Sequence, residues 1–286
     1  MSLKLVYNAT ETDNNKPLGD FLTNQNLSKK AVIALKHRGG KICVNGTEKT
    51  TRHLISTSDI VTVIFADEPV SSTLLPVKME IPIVYEDDFL LVVDKKAGIP
   101  VIPTGSHDVG LANGIFAYYQ EIGLKSTVHF VNRLDKDTSG LLIIAKYRHI
   151  HHLMTDQQGA ITRKYYALVT GNLKDSFRID QPIHRPSVTS IMRFVHPNGQ
   201  RAVTDIEPIA HYMGQTLVSC TLETGRTHQI RVHLSHLGHP IIKDPLYGDG
   251  LPNDQQLLHS YFLEFNHPMT GEKLTFTTEI PARFGI

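Results

Sequence analysis

The sequence predicts an α+β protein in two parts: a small helix-and-strand module over residues 1–70, then a large domain over 81–286 on a mixed, largely antiparallel sheet. Three observations carry this expectation. Beyond residue 81, strand-length apolar runs outnumber helical stripes and do not alternate regularly with them, which disfavours a doubly wound sheet. Residues 1–70 have a different texture, with short helical spacings and a concentration of positive charge. Between the two, the stretch 66–80, with Pro69, Ser71, Ser72, Thr73 and Pro76, reads as linker-like, and the linker itself is drawn over 71–80. A chain of 286 residues accommodates such a division at roughly 100–200 residues per domain.

The elements follow in order. Leu18, Phe21 and Leu22, then Val32, Ile33 and Leu35, recur at spacings that suit two short amphipathic helices, the second stopped by Gly39-Gly40. Ile42 and Val44 before Asn45-Gly46 predict a small hairpin. Ile60, Val61, Val63 and Phe65 after Asp59 predict a closing strand. In the large domain, 90–94, 140–146 and 165–169 read as apolar strands, and 215–223, with Leu217 and Val218 among polar neighbours, as a half-buried one. Helices are expected at about 147–158 and 227–237. The second has Thr227 as N-cap, a stripe of Ile230, Leu234 and Leu237, and Gly238 at its end. No repeat of fixed period is present.

Composition narrows the classes. Hydrophobic residues at 41% and charged residues at 20% give a globular balance. A net charge of +1 excludes a strongly basic or acidic tail protein, but not a local nucleic-acid patch. The first residues lack the apolar core and cleavage site of a signal peptide, and runs such as 141–145 fall far short of the roughly 20 residues that span a bilayer. Cys43 and Cys220 stand alone without CxxC, which excludes a disulfide framework and a cysteine zinc site and suits a reduced cytoplasm. Residues 28–53 carry Lys29, Lys30, Lys36, Arg38, Lys41, Lys49 and Arg52 against Glu48, a net +6 in 26 residues. Phosphate contact and a plainly solvated helix face both explain such a patch.

Three constellations could carry chemistry. Arg133, Asp135, Lys136 and Asp137 crowd a polar loop that ends at Gly140 and opens a buried strand, a setting for tuned acidity or simply a charged turn. Thr224-Gly225-Arg226-Thr227-His228-Gln229-Ile230-Arg231 runs from strand through a glycine turn into a helix. Free amides there, with Arg226 and Arg231, suit an anion, and a capped helix with exposed arginines is the plainer reading. His228, His233, His236 and His239 form the third group. His233 and His236 share a helical face, but no HExxH or carboxylate at ligand spacing accompanies them, so core or phosphate-contacting histidines are expected, not a metal site. GxGxxG, Walker A and GxSxG motifs are all absent, so nothing calls for a nucleotide cofactor or a serine nucleophile.

Two resemblances assemble these pieces. Leu18-Gly19-Asp20-Phe21-Leu22, Ser28-Lys29-Lys30, Ile42-Cys43-Val44-Asn45-Gly46 and Ser58-Asp59-Ile60-Val61 resemble an S4-type RNA-binding module, with Ser58 in place of its usual glycine. The 133–142 and 224–248 motifs (Arg-Leu-Asp-Lys-Asp-Thr-Ser-Gly, and Thr-Gly-Arg-Thr-His-Gln-Ile-Arg through Asp-Pro-Leu-Tyr-Gly) are similar to those of the RluA-type pseudouridine synthases. So are 84–95, the Tyr-x-Ala strand in 163–171 and the Leu-His…His-Pro stretch in 257–268. The likeness spans about 80–285. It implies a two-lobed catalytic domain around an RNA cleft that isomerises uridine to pseudouridine. An S4-like module in front is the arrangement of the large-subunit rRNA members.

The resemblance also implies roles. Asp135 corresponds to the nucleophilic aspartate, Tyr165 to the tyrosine that stacks on the target base, and Arg231 to the arginine that pairs with the aspartate. Arg133 corresponds to the arginine that helps hold a flipped nucleotide, which must leave its helix to expose the reacting bond. Arg226 and His228, with Lys29, Lys30, Lys36 and Arg38 of the module, are the further expected RNA contacts. The expected protein is a cytoplasmic monomer whose partner is RNA, with no membrane association, no metal and no small-molecule cofactor. The sequence departs from the family at Asn132, where histidine is usual, at Asp94-Lys95-Lys96 for Asn-Lys-Pro, and at Ile102-Pro103 for His-Pro. A non-catalytic RNA-binding or ribosome-assembly factor on the same scaffold is the alternative. A histidine-metal hydrolase is a more distant one, testable by metal analysis.

Overall fold

The computed structural model describes residues 3–69, 73–104, 109–156 and 160–286. The start of the expected linker, with Ser71 and Ser72, and the end of the helix expected at 147–158 lie outside the described residues.

The module is built from β1 (Lys4–Asn8), α1 (Leu18–Asn24), α2 (Lys29–His37), β2 (Lys41–Val44), β3 (Thr47–Glu48) and β4 (Ile60–Ile64). Its sheet runs β1-β4-β2-β3, all antiparallel. Both helices start and stop as their sequence dictates. Ser28 caps α2 by accepting from the Ala31 amide at 3.2 Å, and Phe21, Leu22, Val32 and Leu35 are buried under the sheet. Asn45 at φ 49° and Gly46 at φ 79° make the two-residue turn between β2 and β3. The Asn45 side chain then ties that turn to Asp59 and Ile60. Ser58 holds φ 71° where the S4-type pattern has glycine, a conformation in which glycine is the unstrained choice. The strand β1 pairs with β4 over five positions and was not among the sequence expectations, because its burial alternates too briefly to stand out.

The large domain contains β5 (Ile83–Glu86), β6 (Leu90–Lys95), α3 (Leu111–Glu121), β7 (His129–Phe130), β8 (Ser139–Ala145), α4 (Arg148–Asp156), β9 (Thr162–Thr170), β10 (Phe177–Asp180), β11 (Ile183–His184), β12 (Phe194–Val195), β13 (Val203–Tyr212), β14 (Gln215–Leu222), α5 (Gln229–His236), β15 (Leu258–Asn266) and β16 (Lys273–Thr277). The main sheet runs β10-β13-β14-β9-β15-β8-β6-β5, with β16 beside β15 and β7 beside β8. Among the described residues only β15 and β8 pair in parallel, so the sheet is mixed and largely antiparallel.

Both faces of the sheet's middle are covered. On β6, Leu91 and Val93 face one core while Leu90 and Val92 face another. All seven residues of β8 are buried, which is why its sequence is continuously apolar and not alternating. The same cause corrects the half-buried reading of 215–223: Thr216 to Cys220 of β14 are buried on both faces. It also hides α3. Leu111 to Ala117 and Tyr119 are all buried, so α3 lacks the polar stripe by which an amphipathic helix is read. Gly114 lets α3 approach the segment before β5, since a Cβ there would stand 2.4 Å from Met79 Cγ. Asn113 adds a hydrogen bond from its Nδ2 to the Leu75 carbonyl at 2.8 Å, so the second half of the linker lies stitched to the large domain.

Gly140, the second residue of β8, holds φ +110°, and a Cβ there would lie 2.2 Å from the Ser260 carbonyl oxygen on the paired strand β15. Gly140→Ala is therefore expected to destabilise the protein by about 3 kcal/mol, from backbone strain plus overpacking. Urea unfolding of the variant would read this as a lowered midpoint, and an unchanged midpoint would contradict it.

Candidate active site

Residues 131–138 form the loop between β7 and β8, and it is braced from several sides. Asn132, buried, accepts the Ile143 amide at 2.8 Å through Oδ1. The departure at this position therefore supports the loop from within. The Lys136 carbonyl accepts from the Gly98 amide at 3.0 Å and from Lys95 Nζ at 2.9 Å. Lys95 is 1% exposed and also donates to the carbonyls of Lys96 and Ile99. Burial pushes its pKa down to about 7, against the pull of Asp137 and Asp135. Thr138 is held by Gln256 at 3.1 Å, and its amide donates to the Asp135 carbonyl at 3.2 Å. The loop's geometry is thus fixed by these bonds, and the Asp135 side chain is left to face the cleft.

Arg231, on α5, reaches across to it. Its Nη1 donates to Asp135 Oδ2 at 2.9 Å, while Nε and Nη2 donate to Asp244 Oδ2 and Oδ1 at 2.8 Å each. Asp244 is fully buried and also accepts the amides of Leu246 and Tyr247. Burial alone would raise the Asp244 pKa, but these hydrogen bonds hold it below the usual carboxylate range. Burial likewise disfavours the Arg231 cation, and the two carboxylates more than offset it, so its pKa is raised. One guanidinium fork joins three segments distant in sequence.

Tyr165 lies mid-sheet on β9, opposite Cys220 and Ser260, and is 6% exposed. Burial raises its hydroxyl pKa, with Arg163 opposing. Tyr166 points the other way, as alternation requires, and stacks on Tyr261 at 3.7 Å between ring centroids. A cleft of about 850 Å³ takes in Arg133, Asp135, Arg163, Tyr165, Arg226, His228 and Arg231. That is within the roughly 300–1,000 Å³ of sites that enclose one small molecule. Arg133 is exposed at its rim.

The structure thus brings together the six residues of the large domain that the sequence singled out. The four basic residues of the module stand apart. Lys29 and Lys30 are exposed on α2, Lys36 leans on the Lys49 carbonyl at 3.4 Å, and Arg38 lines a separate cavity between α2 and α4. One expectation is corrected. The helix expected at 227–237 begins at Gln229, because His228 takes the left-handed φ of 58° and Thr227 caps nothing. At the start of α5, weighed as an anion site, Gln229 Oε1 accepts the Arg226 amide at 2.9 Å, and Arg231 is buried and bonded to two carboxylates. His233 is a core histidine held by Thr204 and the Gln181 carbonyl, as the plainer reading had it. Among the described residues no group of three or more His, Cys, Asp or Glu is placed to hold a metal ion. Sequence reasoning missed Lys95, Asp244 and Tyr247. All three sit inside quoted motifs, so the signal was present but carried no partner.

Over residues 89–236 the chain matches the family described as RNA pseudouridylate synthase. The chain belongs to that family. Relatives matched over most of their length agree with its reading as an RNA pseudouridine synthase. It is 40% identical over 260 residues to a Bacillus subtilis protein named as an uncharacterized RNA pseudouridine synthase, YjbO, covering 89% of this chain and 92% of the relative. It is 34% identical to ribosomal large subunit pseudouridine synthase D of Pseudomonas aeruginosa, covering 86% of this chain and 82% of that one. Among solved structures, human RNA pseudouridylate synthase domain containing 1 superposes with a TM-score of 0.58 at 26% identity, over 74% of this synthase and 86% of the human chain. No helix among the described residues is long and apolar enough to cross a membrane.

Proposed function

We propose that this pseudouridine synthase acts in the cytoplasm on uridines of large-subunit ribosomal RNA, with Asp135 as nucleophile. The carrying observation is the pairing of Asp135 and Arg231 at 2.9 Å inside a cleft that also holds Tyr165 and Arg133. In the isomerisation the N1–C1′ bond breaks, the base turns, and a C5–C1′ bond forms. The proton on C5 is lost and N1 gains one. Asp135 holds the nucleoside between these steps by a covalent bond. Tyr165 stacks on the base, and Arg133 at the rim steadies the flipped nucleotide. The preference for large-subunit rRNA draws on the name of the Pseudomonas relative and on the S4-like motifs of the module.

Pseudouridine mapping of total RNA from cells with and without the gene tests the substrate. The expected result is loss of one or a few pseudouridines confined to large-subunit rRNA. Losses in tRNA instead would overturn the rRNA assignment, and no loss at all would favour the non-catalytic assembly factor.

The module is proposed to add phosphate contacts through the exposed Lys29, Lys30 and Lys36. Replacing all three with alanine in the full chain should lower the log–log salt slope of RNA affinity by about 2, at 0.7–0.9 per contact. Turnover at saturating RNA should hold, since none of the three lines the cleft. An unchanged slope would make them solubilising residues only.

A further inference from the structure

His228 stands beside the Asp135–Arg231 pair without belonging to it. Its Nε2 lies 3.8 Å from Asp135 Oδ2, the same oxygen that accepts from Arg231. Its Nδ1 lies 2.8 Å from the Tyr247 hydroxyl. That hydroxyl in turn lies 2.8 Å from the Arg193 amide, a group that can only donate. The Tyr247 oxygen therefore accepts from Arg193, and its own hydrogen is free to go to His228 Nδ1. With Nδ1 accepting, the ring proton of neutral His228 belongs on Nε2, directed at Asp135.

Tyr247 also touches the other partner of Asp135, since the Arg231 guanidinium lies 5.0 Å over its ring. The tyrosine is itself fixed. Its amide donates to Asp244 Oδ1 at 3.1 Å, and its carbonyl accepts from Ser235 at 2.8 Å. Burial lowers the His228 pKa, against Asp135 and with Arg231 and Arg193, which favours the neutral ring. A separation of 3.8 Å is too long for a hydrogen bond, but such contacts tighten when substrate closes a site.

Resting on the reading of Asp135 as nucleophile, we propose that His228 and Tyr247 are positioning residues. Tyr247 holds His228 as the Nε2–H tautomer, whose N–H closes on Asp135 Oδ2 beside Arg231. With Oδ2 doubly engaged, Oδ1, which accepts no hydrogen bond among the described residues, is the attacking oxygen. This differs from the RNA-contact role that the sequence suggested for His228.

The test uses the full chain and an RNA that the wild type modifies. Tyr247→Phe keeps the ring under Arg231 and removes only the hydroxyl. His228→Asn removes the ring at a left-handed position that asparagine tolerates. Each should lower kcat roughly 10–100-fold with KM unchanged, and the double variant should lose no more than the worse single one. Imidazole 15N shifts of the wild type, with His228 assigned by its loss in His228→Asn, should show the Nε2–H tautomer, and Tyr247→Phe should show a mixture. A raised KM with intact kcat in His228→Asn would make it an RNA contact and overturn the proposal. So would losses that multiply in the double variant, or a wild-type proton on Nδ1. Retained activity in Asp135→Asn would instead sink the nucleophile reading, a separable result.

Discussion

Asp135→Asn is expected to lose pseudouridine formation by roughly a thousandfold or more, the scale of removing a nucleophile, while RNA affinity and folding hold. The geometry explains why the fold should survive. Asp135 is a quarter exposed, and Arg231 keeps its two bonds to Asp244 when the charge at 135 disappears. The amide oxygen of asparagine can still accept from Nη1, so the cleft keeps its shape. What is lost, in the proposed mechanism, is a carboxylate oxygen able to form a bond to the nucleoside. Single-turnover assays on an RNA modified by the wild type, with affinity measured in parallel, separate the two effects. Near-normal turnover would remove Asp135 from the chemistry, and a parallel collapse in affinity would make it a binding residue.

Much of this site was legible because its residues sit in short motifs. Arg133 and Asp135 share one loop, and Arg226 and His228 lead directly into α5, which carries Arg231. Their spacing survives folding, since each motif is a short continuous stretch of chain. What sequence could not supply was the third body. Asp244 lies 13 residues beyond Arg231, and nothing in its immediate surroundings says that it is fully buried and bonded to both Nε and Nη2. Lys95 likewise reads as a surface lysine at the end of a strand, yet three main-chain carbonyls enclose its ammonium. Such groups are recognised by burial, and burial is a property of the assembled sheet.

The same distinction separates the elements read correctly from those missed. β2, β8 and β9 have apolar runs bounded by turn residues, and a local rule suffices. The all-buried α3 has no polar face to set its period. The start of α5 was misplaced because Thr227 satisfies a local rule for capping, whereas His228 takes a left-handed backbone in the company of Tyr247 and Asp135. Local rules failed where the functional site imposes its own geometry.

Arg231→Met carries the largest expected effect on stability, about 3–5 kcal/mol, because it strands a buried charge. Asp244 is fully buried, and among the described residues it keeps only the Leu246 and Tyr247 amides without the guanidinium. Arg231→Lys should fall between wild type and Arg231→Met, since one ammonium cannot reproduce a planar fork aimed at two carboxylates. The loss should depend on pH in a definite direction. In the wild type the Asp244 pKa is depressed, so its contribution to stability is present above the unfolded value of about 3.9 and is lost as pH falls through the folded value. In Arg231→Met burial acts without the cation that opposed it, and the Asp244 pKa rises above the unfolded value. The gap between wild type and variant should therefore open as pH climbs above about 4 and narrow in acid. Urea unfolding at a series of pH values reads this directly. A gap independent of pH would mean that Arg231 stabilises the fold by packing on Tyr247 and not through its charge.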